Sequence, residues 1–220
     1  MKKLLFAVSA LAALSLLAPS TGFAQIHDYD NQVGLFLAAD GTGGTNSNDI
    51  GSPVFVYLVL LRPVDEDNGN APYPDINAFE CMLNFSGGAL FKLGDTLPPT
   101  GINVGDNTDI NQGFLEYIVG LGTSQLVTDG SITLITFQFM ATSPAETIIT
   151  LTPTTAPSLP GEMAFQSVSG QLRVMYNAGG SADAAVFSFN GADGGVVAVE
   201  DASFGSVKAN ALWMSPLMPV

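Results

Sequence analysis

Apolar and polar residues alternate with a period of two along most of the chain after residue 24, as expected of strands that bury one face. Val33, Leu35 and Leu37 fall on one side of a first segment, alternating with Gly34 and Phe36. Pro53 to Leu61 is a nearly unbroken apolar run, rich in β-branched and aromatic residues and stopped by Arg62-Pro63. It predicts a central strand covered on both sides. Phe79, Cys81, Leu83 and Phe85 share one face of a third segment, and Leu115, Tyr117, Val119 and Leu121 share one face of another, with Glu80 and Glu116 turned to solvent. Thr133, Ile135, Phe137 and Phe139 are predicted to point inward, as are Thr147, Ile149 and Leu151. Leu172, Val174 and Tyr176 follow, then Ala185, Phe187 and Phe189. Val196, Val197 and Val199 predict a last short strand.

Turn chemistry separates these segments. Asp40 to Gly44 and Asp65 to Asn70 read as loops, and Asp129-Gly130 as a tight hairpin turn. Pro98-Pro99 and the stretch from Pro153 to Pro160 interrupt pairing, because proline cannot donate to a ladder. Helical turns are expected only near Thr108–Gly113 and Ala202–Ala209. The pattern predicts an all-β fold, an antiparallel two-sheet β-sandwich in which every second side chain enters a shared core. Residues 25–190 are expected to form it, and 191–220 a C-terminal strand and apolar tail.

The first 24 residues stand apart. Lys2 and Lys3 precede the apolar run Leu4–Leu17, Pro19 breaks it, and Gly22 and Ala24 suit a cut before Gln25. That is the layout of a cleaved signal peptide, too short to span a bilayer comfortably. It predicts an exported chain, extracellular, at the cell surface or periplasmic, with no membrane span once matured. Removing two of the six basic residues leaves four against twenty acids and moves the formal charge from −14 to −16. Such a surface repels phosphate backbones and excludes nucleic acid as a partner.

Candidate chemistry is sparse. Cys81 is the single cysteine, so no intrachain disulfide forms, and its position predicts a small core residue. His27, the single histidine, lies near the new N-terminus. Serine and cysteine triads thereby have few ways to form, zinc sites of the usual kind are excluded by count, and no catalytic residue is expected. The one metal expectation is calcium, with oxygens from Asp65, Asp67 and Asn68 in one loop or from Asp106, Asp109 and Asn111 in another. The alternative for both loops is a turn whose Asp and Asn side chains bond their own backbone.

The order of segments resembles a known family. Gly51-Ser52-Pro53-Val54 opens the apolar run, Phe79 to Phe85 form an alternating strand, and Asp129-Gly130 leads into Ile135-x-Phe137-x-Phe139. From Val33 to about Pro153 the chain is similar to the cohesin-like modules of secreted bacterial proteins. The resemblance implies a jelly-roll sandwich and a non-catalytic binding role, with a protein partner, or a polysaccharide as in related carbohydrate-binding modules. A structural subunit of a surface polymer, built through the apolar tail, is a further alternative. The closing segment Val197–Ala209 resembles the ends of other secreted bacterial β-proteins and again implies export.

Overall fold

The computed structural model describes residues 30–191. The signal segment, His27, the expected strand at Val196–Val199, the helical turn at 202–209 and the apolar tail lie outside the described residues.

Among the described residues fourteen strands follow one another: β1 (Gln32–Phe36), β2 (Asn46–Ser47), β3 (Val54–Leu61), β4 (Val64–Asp65), β5 (Ala71–Pro72), β6 (Asp75–Gly87), β7 (Leu90–Thr96), β8 (Gly101–Asn103), β9 (Phe114–Leu126), β10 (Ser131–Ala141), β11 (Thr147–Thr152), β12 (Met163–Ser167), β13 (Leu172–Asn177) and β14 (Ala185–Phe189). They make an all-β sandwich of two layers. The first layer runs β1-β3-β10-β7. The second is centred on β6. One edge of β6 pairs with β9, beyond which lies β8. Its other edge pairs with β11 and then β12, set end to end, and β14 and β2 lie outside β11. β13 joins the layers, antiparallel to β12 and parallel to β1. That pairing and β14–β2 are parallel and depart from a purely antiparallel sandwich.

Alternation determines what meets in the middle. Leu35, Val56, Leu58, Phe137 and Phe139 come from one layer; Phe79, Cys81, Leu83, Leu115, Tyr117, Phe165 and Phe187 come from the other. Phe137 and Phe139 stack at 5.1 Å, and Tyr117 meets Phe137 edge-on at 5.6 Å. Beside this core a polar tie joins the edges of the layers. Asp95 of β7 accepts from the Tyr117 hydroxyl at 2.5 Å, from Asn107 Nδ2 at 2.8 Å and from Lys92 Nζ at 3.1 Å. Burial raises the Asp95 pKa, but these donors outweigh it and hold the carboxyl below its usual range.

Three expectations are corrected. Thr133 faces outward, because a bulge between Thr133 and Ile135 breaks the alternation of β10. Its hydroxyl donates to the Ala39 carbonyl at 2.6 Å. In β13 the inward residues are Met175 and Asn177, while Tyr176 turns its hydroxyl to Glu66. The pairing of Met163 with Met175 sets that register. β3 is only half covered: Val59 is buried, with Gly41 of the 38–44 loop close above it, whereas Phe55 is 54% exposed.

Candidate functional site

The outward face of the second layer carries an apolar groove of about 670 Å³. Its shape follows from side-chain size. Ala78 of β6, Gly120 of β9 and Ala164 of β12 form a floor of small residues. A Cβ at Gly120 would meet nothing within 4 Å. Ile102 of β8 and Val104 just beyond it form one wall, and Leu172 of β13 stands at the opposite side. Ile102 and Val104 are 68% and 75% exposed, far more than such side chains need on a two-sided sheet. β8 is three residues long and among the described residues pairs only with β9, so its outer backbone edge borders the groove.

A strap from Pro153 to Glu162 supplies the third wall. Thr152 is the last residue of β11 on the edge of β6, opposite Met82, and Ala164 resumes that edge opposite Glu80. The intervening residues loop out over the sheet. Two carboxylates hold them there. Ser158 donates its backbone N–H at 2.6 Å and its hydroxyl at 3.0 Å to the two oxygens of Glu80. Thr155 donates its N–H and its hydroxyl to Glu116 Oε1, both at 2.7 Å. Burial raises the Glu116 pKa, yet the Thr155 donors more than offset this and leave it below its usual value. Glu80 and Glu116 do lie on the outward face, as their register predicts, but both are buried beneath the strap instead of solvated. Nothing in the spacing of the strand residues marks this, because the partners lie 39 and 78 residues away.

The residues expected to bind calcium lie in two separate loops. Asp65 is buried and forms a close ion pair with Arg173, whose Nη2 is also 3.2 Å from Asp67. The guanidinium thus supplies the positive charge between these two carboxylates and pins the β4–β5 hairpin against β13. Asn68 ends a single 3₁₀ turn, Glu66–Asn68. In the second loop Asp106 Oδ1 accepts from the Thr108 hydroxyl at 2.9 Å. Asp109 Oδ1 accepts from the N–H and side-chain amide of Asn111, both at 2.8 Å, capping the turn Ile110–Gln112. Among the described residues no three His, Cys, Asp or Glu side chains are grouped to hold a metal. Cys81 is fully buried, and burial, aided by neighbouring Glu80, pushes its thiol pKa up to about 12. Among the described residues no helix is long and apolar enough to cross a membrane.

No protein-family model matches the chain, and no curated protein sequence does. Among solved structures it is similar to cohesin modules. The second type II cohesin module of the adaptor scaffoldin ScaA of Acetivibrio cellulolyticus is 10% identical, covers 73% of this chain and 91% of its own, and gives a TM-score of 0.47. The sixth cohesin of scaffoldin B from the same organism, solved in complex with a Cel5 dockerin mutant, is 14% identical with coverages of 73% and 98% and a TM-score of 0.43. A cohesin module from a family 33 glycoside hydrolase of Clostridium perfringens is 10% identical, with coverages of 66% and 90% and a TM-score of 0.36.

Proposed function

We propose that the chain is a non-catalytic protein-binding module whose groove on the β6 layer takes an extended, apolar segment of a partner polypeptide. The observation that carries this reading is the pair Ile102 and Val104, solvent-facing at the rim of an apolar groove beside an edge of β8 that no other described strand covers. A partner strand laid along β8 gains main-chain hydrogen bonds there and places alternate side chains beside Ile102 and Val104 at the rim of the groove. The one acid lining the groove, Glu80, is already engaged by Ser158, so the surface selects an uncharged segment. The apolar run at residues 4–17 supports export, so the partner would be met outside the cytoplasm. A polysaccharide would instead need a row of exposed rings. Among the described residues the most exposed rings, Phe55 and Phe91, sit two strands apart on the other layer with Gln138 and Met140 of β10 between them.

Gly120→Trp tests the reading, because the added ring enters the groove without meeting other atoms at its root. Wild-type and variant chains of equal melting temperature serve as baits in culture fluid of the source organism. A protein captured only by the wild type is then purified and titrated against both. The reading predicts at least a tenfold weaker Kd for the variant; equal affinities would remove the groove as the binding site.

A further inference from the structure

A second apolar surface lies on the opposite side of the molecule, and the position of the chain's exit points to its occupant. On the outward face of the first layer Phe55 and Tyr57 of β3 lie beside Gln138 and Thr136 of β10. Met140 of β10 lies beside Phe91 of β7. Leu93 stands at a bulge where the register slips between Gln138 and Phe139. Phe55, Phe91 and Leu93 are 54%, 51% and 47% exposed, and none of these outward positions carries a charge. The loop at 38–44 shelters the neighbouring Val59 and reaches the Thr133 hydroxyl, but leaves this part of the face open.

The described chain ends at Gly191, at the border of this patch. Asn190 donates its side-chain amide to the Ser143 carbonyl at 2.9 Å, and Ser143 lies three residues beyond Met140, about 10 Å along an extended chain. Ile50, half exposed, bridges to Ala141 between the exit and the patch. The groove on the β6 layer is more distant. The exit lies at the Gly87 end of β6, where Thr147 pairs with both Gly87 and Phe189. Ala78 on the groove floor is nine residues further along, about 30 Å away. From residue 192 the sequence runs a further 29 residues and closes with Ala211-Leu-Trp-Met-Ser-Pro-Leu-Met-Pro-Val, a segment with no charge in an otherwise strongly acidic chain. The nineteen residues between Gly191 and Ala211 span the required distance with ease, and ring closure favours the nearer of two apolar surfaces.

We propose that residues 211–220 dock in cis on the Phe55–Phe91–Leu93–Met140 face, shielding it and leaving the β6-layer groove as the open binding surface. Covering these side chains removes apolar area from water at both partners. The site is intramolecular, so docking is independent of protein concentration.

Trp213 is the only tryptophan of the chain and reports directly on this contact. The chain from Gln25 to Val220 is measured by tryptophan emission and by acrylamide quenching over a hundredfold range of concentration, beside a variant carrying Phe55→Ser and Phe91→Ser. Both substitutions fall on exposed positions, and far-UV circular dichroism checks that the fold is kept. The proposal predicts blue-shifted, quench-protected emission that does not change with concentration, and a shift to the emission of a water-exposed tryptophan in the double variant. Water-exposed emission in the unaltered chain overturns it. So does protected emission that the double variant leaves unchanged, which would place the tail elsewhere. Protection that grows with concentration alongside a dimer in sedimentation also overturns it, in favour of a second copy as the occupant.

Discussion

Replacing Glu80 by alanine removes one of the two anchors of the strap while leaving the core untouched. In the native chain one carboxylate takes two hydrogen bonds from Ser158, its N–H at 2.6 Å and its hydroxyl at 3.0 Å. Hydrogen bonds to a charged group contribute about 1.5–3 kcal/mol each. The freed donors lie on a surface loop and can turn to water, so the lower part of that range applies. The expected cost is about 3–4 kcal/mol, or a fall in Tm of roughly 6–16 °C for a domain of this size. Ser158→Ala removes only the hydroxyl, with an expected cost of about 1.5 kcal/mol. In a double-mutant cycle the pair should couple, the second substitution costing less once the first is present. Urea unfolding followed by circular dichroism gives all four values. A loss below about 0.5 kcal/mol for Glu80→Ala, the usual size for a solvated surface position, would show that the strap is not held this way.

Other outcomes follow from the same contacts. Asp95 and Glu116 are both held below their usual pKa, so each contributes stability that is present above the unfolded carboxylate value of about 4 and lost as pH falls through the lower native value. Melting curves from pH 6 to 3 should decline below pH 4, and Asp95→Asn should flatten that decline; an unchanged slope would contradict the tie between β7 and β9. Cys81 should resist a thiol reagent at pH 8 in the native state and react fully once denatured, and rapid native labelling would place it outside the core. With Arg173 between Asp65 and Asp67, and Asp106 and Asp109 turned into their own loops, melting temperatures with calcium and with chelator should coincide. A higher value with calcium would support the metal site expected from the Asp- and Asn-rich loops.

The layers were legible in sequence because period-two burial leaves a direct trace. Phe79, Cys81 and Leu83, like Leu115, Tyr117 and Val119, occupy the interior that alternation assigns to them. Ile110–Gln112 forms the expected helical turn beneath its Asp109 cap. The failures share one cause, an interruption of that period by a distant partner. The bulge at Leu134 turned Thr133 outward, and the placement of β13 between β12 and β1 reversed Tyr176. The groove left almost no sequence trace. Its floor depends on Ala78, Gly120 and Ala164 converging from three strands, and its wall on a proline-rich stretch folded onto Glu80 and Glu116. Small residues in strands and acids on outward positions read locally as weak pairing and solvation. Only the assembled sheet gives them another meaning.

A photoreactive side chain placed at Ile102, and separately at Phe55, identifies the face that a partner touches. With the partner captured from culture fluid, the account predicts a covalent adduct from position 102 and none from position 55. An adduct from 55 alone would contradict it and move the binding surface to the other layer.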